Sequence, residues 1–142
     1  PESVRRVISA CDIVKASDED CWRLTGDVRL DIDSFGRDWI EWGAKVAIIT
    51  LGSKGVKIMT SNKTYDLPAL PGKPIDATGG GDSFMGGFLV NYIATHNAAE
   101  AGLFGSATAL LVIEGTGGVT PKRMPSVEDV NTRLKEAGRQ MG

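Results

Sequence analysis

Apolar residues fall along this chain in two rhythms. The segment KVAIITL, Lys45 to Leu51, is an almost unbroken apolar run rich in β-branched residues. It reads as a strand buried on both faces, as in a parallel sheet. CDIVKA is a shorter strand candidate, and VKIMT alternates like a half-buried strand after the break GSKG. SNK then turns the chain into a further extended segment, TYDLP. Elsewhere the rhythm is helical. Glu2 to Ala10 has a short helical pattern, and Ser17 is placed to cap a helix with Asp20 three residues on, ending at Gly26. Residues 33–42 predict another helix, with Phe35, Trp39 and Trp42 at helical spacing and Gly43 closing it. Residues 68–74, with their three prolines and one glycine, predict an extended linker.

From about Gly80 the pattern turns strongly helical, with Phe84, Phe88 and Tyr92 on one stripe and Met85, Leu89 and Ile93 beside it. A second helix is expected over Ala98–Ile113, burying Leu103, Phe104, Ala107, Leu110 and Leu111. EGTGGVTP reads as a loop, and Ser126 as the cap of a last helix burying Val127, Val130 and Leu134. Strands mixed with helices in this order predict an α/β fold. The chain has 142 residues, so a single domain over 1–142 is expected.

Composition narrows the function classes. The net charge of -2 offers no basic footprint for nucleic acid. No apolar run approaches the roughly 20 residues that a membrane-spanning helix needs, and no signal peptide is recognisable. Cys11 and Cys21 lack metal-site spacing and read as free thiols of a cytoplasmic protein. Pro1 is not an initiator methionine, and the opening sequence reads as mid-chain, so a piece of a longer protein is expected.

Chemistry concentrates in PIDATGGGDSFMGGFL, Pro74 to Leu89. Three glycines precede Asp82 where the last-but-two helix is expected to start. A helix N-terminus carries unpaired N–H groups and a partial positive charge. Bare glycines let an anion reach those groups, which suits a phosphate. A flexible helix start with an acidic first turn explains the same residues. The stretch is neither a Rossmann turn nor a Walker loop: G-x-G-x-x-G lacks its third glycine here, and G-x-x-x-x-G-K-[ST] is absent. His96, the only histidine, reads as a surface or capping residue, and Ser83 lacks the partners of a nucleophile. The acidic run Asp18, Glu19 and Asp20 reads as a solvated first turn, and the three tryptophans as core or interface.

The glycine stretch resembles the second signature of the ribokinase-like (PfkB-type) carbohydrate kinases, D-T-x-G-A-G-D-x-F-x-x-G-F. Asp76, Thr78, Gly79, Gly81, Asp82, Phe84, Gly87 and Phe88 match, while Ala77 and Gly80 depart mildly. TLGSKG, Thr50 to Gly55, is similar to the family's T-L-G-x-x-G. Val14 to Gly26 resembles K-x-N-x-x-E-x-x-x-L-T-G with Ser17 and Asp20 in place of asparagine and glutamate. EGTGGVTP resembles the family's monovalent-cation loop, with Pro121 where some relatives offer a serine.

The resemblance implies a ribokinase-like sandwich, a parallel sheet flanked by helices, of which this chain is the C-terminal nucleotide-binding portion. It implies transfer of a phosphoryl group from ATP to a primary hydroxyl of a sugar, with Mg²⁺ and K⁺. Asp82 would be the base, and the N–H groups of Gly79, Gly80, Gly81 and Asp82 the anion hole. Ser17, Thr50, Gly52, Ser53, Gly55, Gly81 and Ser106 would line the nucleotide. Asp76, Thr78, Val112, Gly115 and Gly117 would hold the monovalent cation, with Asp20 acting indirectly on Mg²⁺. The look is nearest the fructokinase branch; a sugar-acid kinase, as for 2-keto-3-deoxygluconate, and a nucleotide-binding or assembly module without turnover are the alternatives. The partners implied are sugar, ATP and the missing N-terminal half of the same kinase. The full-length parent is a candidate homodimer, and the isolated chain is expected to be inactive. A helix-capping box explains Ser17 and Asp20 equally well.

Overall fold

The computed structural model describes residues 2–26 and 31–141. They form two compact units, Pro1–Pro68 and Ala69–Gly142.

The first unit carries the sheet. Helix α1 (Glu2–Ile8) leads into β1 (Ile13–Ser17), then α2 (Asp18–Thr25), α3 (Ile32–Glu41), β2 (Val46–Thr50), β3 (Val56–Met59) and β4 (Thr64–Leu67). The strand order is β1-β2-β3-β4. β1 and β2 are parallel, joined by the crossover through α2 and α3. The other two pairings are antiparallel, so the sheet is mixed where a parallel one was expected. The reason is connection length: the short turn between β2 and β3 can return the chain only as a hairpin. The apolar run of β2 correctly signalled burial on both faces, Val46 to Ile49 all being buried, but burial carries no information about direction.

Ala47, Ile49 and Met59 pack with Ile8, Cys21, Phe35 and Trp39 in one core cluster. Gly36 lets Met59 lie close: a Cβ there would sit 2.2 Å from the Met59 sulfur, which would have to shift. Burial pushes the Cys21 thiol up to about 11. The capping box of α2 forms in both directions between Ser17 and Asp20, and Gly26 closes the helix in the left-handed conformation at φ 72°. Helix α3 begins one residue earlier than its apolar spacing suggested, because Asp31 caps it by accepting the Asp33 N–H at 3.2 Å.

The second unit is helical: α4 (Gly80–Thr95), α5 (Ala98–Ile113) and α6 (Val127–Met141). The expected bounds of α5 coincide with those observed, with Asn97 as its cap. α4 and α5 approach closely at small residues. A Cβ on Gly87 would lie 2.3 Å from the Thr108 hydroxyl, and one on Gly105 2.8 Å from the Phe84 carbonyl. Phe84, Phe88, Tyr92 and His96 stack in succession along α4, with neighbouring ring centroids 5.4–6.2 Å apart. His96 ends that helix as a left-handed cap at φ 53°. The expected apolar faces shift in places: Ile93 and Val127 are exposed, whereas Ala101, Gly105 and Thr108 join the buried face of α5. Phe104, Ala107 and Val130 form the cluster between α5 and α6.

Candidate anion site at the start of helix α4

Gly79 is the N-cap of α4 and sits at φ 79°, a left-handed conformation that glycine adopts without the Cβ clash. No side chain caps this helix. The Gly80 N–H is donated to the Ala77 carbonyl at 3.1 Å, and the Ser83 N–H and hydroxyl both reach the Gly79 carbonyl, at 3.0 and 2.7 Å. Among the described residues, the N–H groups of Gly79, Gly81 and Asp82 have no hydrogen-bond acceptor. Three of the four expected donors are therefore open, and Gly80 is not one of them. Asp82 stands exposed on the same first turn. Open donors on a 16-residue helix, beside a carboxylate able to take a proton, can bind an anionic group and deprotonate a hydroxyl next to it. Ser83 is buried and bound to the helix start, which leaves it no nucleophilic role.

The turn in front of the helix is held by Asp76. Its Oδ1 accepts the Thr78 N–H at 3.0 Å and the Thr78 hydroxyl at 2.6 Å; its Oδ2 accepts the Gly117 N–H at 3.0 Å. The Thr78 hydroxyl, then the Gly117 and Thr78 N–H groups, bring the Asp76 carboxyl down to about 2. The Ile113 carbonyl accepts both the Ile75 and Asp76 N–H groups, at 2.8 and 3.0 Å. The loop after α5 packs directly behind the glycines. A Cβ on Gly79 would lie 2.5 Å from a Val119 methyl, and one on Gly118 3.2 Å from the Thr78 methyl.

In that loop one of the expected cation ligands, the Val112 carbonyl, is engaged by a side chain. Arg123 donates from Nη1 to the Thr116 and Gly118 carbonyls at 2.5 and 2.6 Å, and from Nη2 to the Val112 carbonyl. Of the carbonyls expected to hold a monovalent cation, that of Val112 is taken by the guanidinium, while its other two acceptors, Thr116 and Gly118, lie beside the expected ligands Gly115 and Gly117. Gly117 offers Asp76 its N–H, and Gly115 lies against the Arg123 guanidinium, 2.5 Å from Nη2 to where a Cβ would be. The spacing of residues carried no cue to Arg123. It is one of two adjacent basic residues beyond the glycine-rich loop, and its neighbour Lys122 is exposed.

In the first unit, Ser17 and Thr50 are partners in register at the C-terminal ends of the parallel strands β1 and β2. Gly52–Lys54 forms a single tight turn right after β2, with Gly52 and Gly55 at φ 56° and 99°. Ser17, Thr50, Gly52, Ser53 and Gly55 thus sit around one sheet end, the usual location of ligand sites in open α/β sheets. Ser106 lies half-buried on α5 in the second unit. Asp20 is engaged by its cap: Oδ2 accepts the Ser17 hydroxyl at 2.8 Å, which lowers its pKa. Among the described residues, no group of three or more His, Cys, Asp or Glu side chains is placed to hold a metal. Nor is any helix among them long and apolar enough to cross a membrane.

The pfkB family carbohydrate kinase model matches residues 1–125. A nucleoside kinase of Methanocaldococcus jannaschii is 41% identical over 90 residues, which are 63% of this chain and 29% of that protein. The crystal structure of the nucleoside kinase from that organism superposes with a TM-score of 0.80 at 32% identity, covering 95% of this chain and 43% of that one. A fructokinase of Rhizobium leguminosarum bv. trifolii is 33% identical over 90 residues, 62% of this chain and 26% of its own length. A fructokinase double mutant of Vibrio cholerae, solved with fructose, ADP and a potassium ion, superposes with a TM-score of 0.81 at 27% identity, covering 94% of this chain and 44% of its own. The chain therefore spans less than half the length of each of these relatives. It belongs to the pfkB family of carbohydrate kinases and has the ribokinase-like α/β fold.

Proposed function

We propose that this pfkB-family chain supplies the nucleotide-binding portion of an ATP-dependent kinase that phosphorylates a primary hydroxyl of a sugar or of a sugar-bearing molecule such as a nucleoside. The observation that carries this reading is the start of α4, where the open N–H groups of Gly79, Gly81 and Asp82 adjoin the exposed Asp82 carboxylate. In the proposed step, Asp82 takes the proton of the acceptor hydroxyl as its oxygen bonds to the γ-phosphorus. The bond from that phosphorus to the β–γ bridging oxygen breaks, and ADP leaves. The glycine donors hold the charge on the transferred group, which is the main catalytic need in phosphoryl transfer.

Ser17, Thr50 and the Gly52–Gly55 turn are proposed nucleotide contacts. Mg²⁺ would enter as the metal complex of ATP, since Asp20 is occupied by Ser17. The motif's fructokinase look does not fix the acceptor: the nucleoside kinase similarity is at 41% identity and the fructokinase similarity at 33%. Two free thiols, one buried, fit a cytoplasmic protein.

The test is a coupled assay on the polypeptide that carries this chain, across nucleosides, fructose, ribose and 2-keto-3-deoxygluconate. Phosphorylation of one class, lost in Asp82→Asn, is the expected result. ATP binding with no transfer to any acceptor would favour a binding module instead. The 142-residue chain alone should bind ADP weakly and phosphorylate nothing, because it spans under half of its relatives and acceptor orientation supplies much of the rate.

A further inference from the structure

The Arg123 side chain donates to three backbone carbonyls of the loop whose Val119 lies behind Gly79. We propose that the Arg123 guanidinium is a built-in substitute for a monovalent cation, so that this chain orders its anion site without K⁺.

The geometry supports this in three ways. First, the guanidinium satisfies three carbonyls of one loop, those of Val112, Thr116 and Gly118. A planar group with five fixed donors reaches the three carbonyls from two nitrogens in a fixed fork. Charge-assisted hydrogen bonds of this kind are roughly twice as strong as neutral ones. Second, the charge is balanced locally. The Asp76 carboxylate holds the Gly117 N–H of the same loop, and the Arg123 charge contributes to its lowered pKa. Third, the loop bears on the donors. Val119 backs Gly79, and Gly118 touches the Thr78 methyl, so the segment Arg123 fixes is the segment that fixes the start of α4. A free cation at the Val112 carbonyl would meet the guanidinium there and be repelled by it. Arg123 is a positioning residue here; it acts through the loop.

The proposal concerns only the loop and its cation, so its test is run without nucleotide, and a failure of the kinase reading would leave the result unchanged. Thermal unfolding and ²⁰⁵Tl NMR of the polypeptide that carries this chain are measured in KCl or TlNO₃ against tetramethylammonium salts at matched ionic strength. The wild type should show no K⁺-specific rise in Tm and no saturable Tl⁺ broadening. Arg123→Ala should melt lower, and either K⁺ or millimolar guanidinium should restore it. Its Gly117 amide should exchange with solvent about tenfold faster, the scale of one lost charge-assisted hydrogen bond, and slow again with either cation. A merely structural arginine would give no such cation selectivity. Saturable Tl⁺ binding or a K⁺-specific Tm rise in the wild type would overturn the proposal, whether or not the variant folds. So would an Arg123→Ala protein that melts normally, or one that no cation restores.

Discussion

The Asp76 carboxylate accepts the N–H of Gly117, 41 positions later in the chain, at 3.0 Å, while its other oxygen holds Thr78 at 2.6 Å. One side chain thus ties the turn before α4 to the loop after α5, and the open donors of the candidate anion site lie just past that tie.

Asp76→Asn should loosen this tie. One carboxylate oxygen becomes an NH₂ group, which cannot accept, so either Thr78 or Gly117 loses its acceptor. The expected result is faster amide exchange at Gly117 or Thr78. The wild type should also carry an acid-dependent stability term that the variant lacks. Because folding lowers the Asp76 carboxyl from 3.8 to about 2, this contribution is complete above about pH 5 and is lost as pH falls through about 2. Identical acid unfolding profiles for the two proteins would refute the tie.

Asp82→Asn, in the polypeptide with the complete site, should lower kcat by about 10²–10⁴-fold, the usual range for a general base. ADP affinity should change far less, since the proposed base would face the acceptor and not the nucleotide. Steady-state kinetics with calorimetry separate the two quantities, and near-normal turnover would remove Asp82 from the role.

Gly79→Ala should cost about 1–2 kcal/mol for the left-handed backbone alone. A further cost comes from a Cβ placed 2.5 Å from Val119. Gly81, by contrast, lies inside α4 with ordinary helical φ, so Gly81→Val should act through bulk at the donors. The first variant should lower Tm clearly, and the second should chiefly weaken phosphate and ADP binding. Equal effects on both readouts would show that the two glycines are not distinct.

Gly105→Ala should destabilise the second unit by about 1–3 kcal/mol, as overpacking does. Its Cβ would meet the Phe84 backbone carbonyl at 2.8 Å, which cannot rotate away as a side chain could. Gly138→Ala, with open space around its Cβ, is the control. Chemical denaturation that ranks the two variants equally would rule out close packing of α4 on α5.

The sequence by itself determined the elements and the chemistry that is local to them. Ser17 and Asp20 cap α2, Ser126 and Asp129 cap α6, and the apolar spacing marks α5 to its end residues, because capping and periodicity act within a few positions. The glycine run before Asp82 was legible for the same reason: a bare helix start is written in consecutive residues. The tertiary structure alone decided which of those N–H groups stay open, since the Gly80 N–H is bonded to Ala77 only by the turn the folded chain makes. It also decided the direction of the strands after β2, the burial of Thr108 against Gly87, and the place of Arg123. Arg123 reaches back 5 to 11 positions to carbonyls that any residue would carry. Backbone acceptors have no side-chain signature, so a cation that binds them leaves no pattern in the sequence.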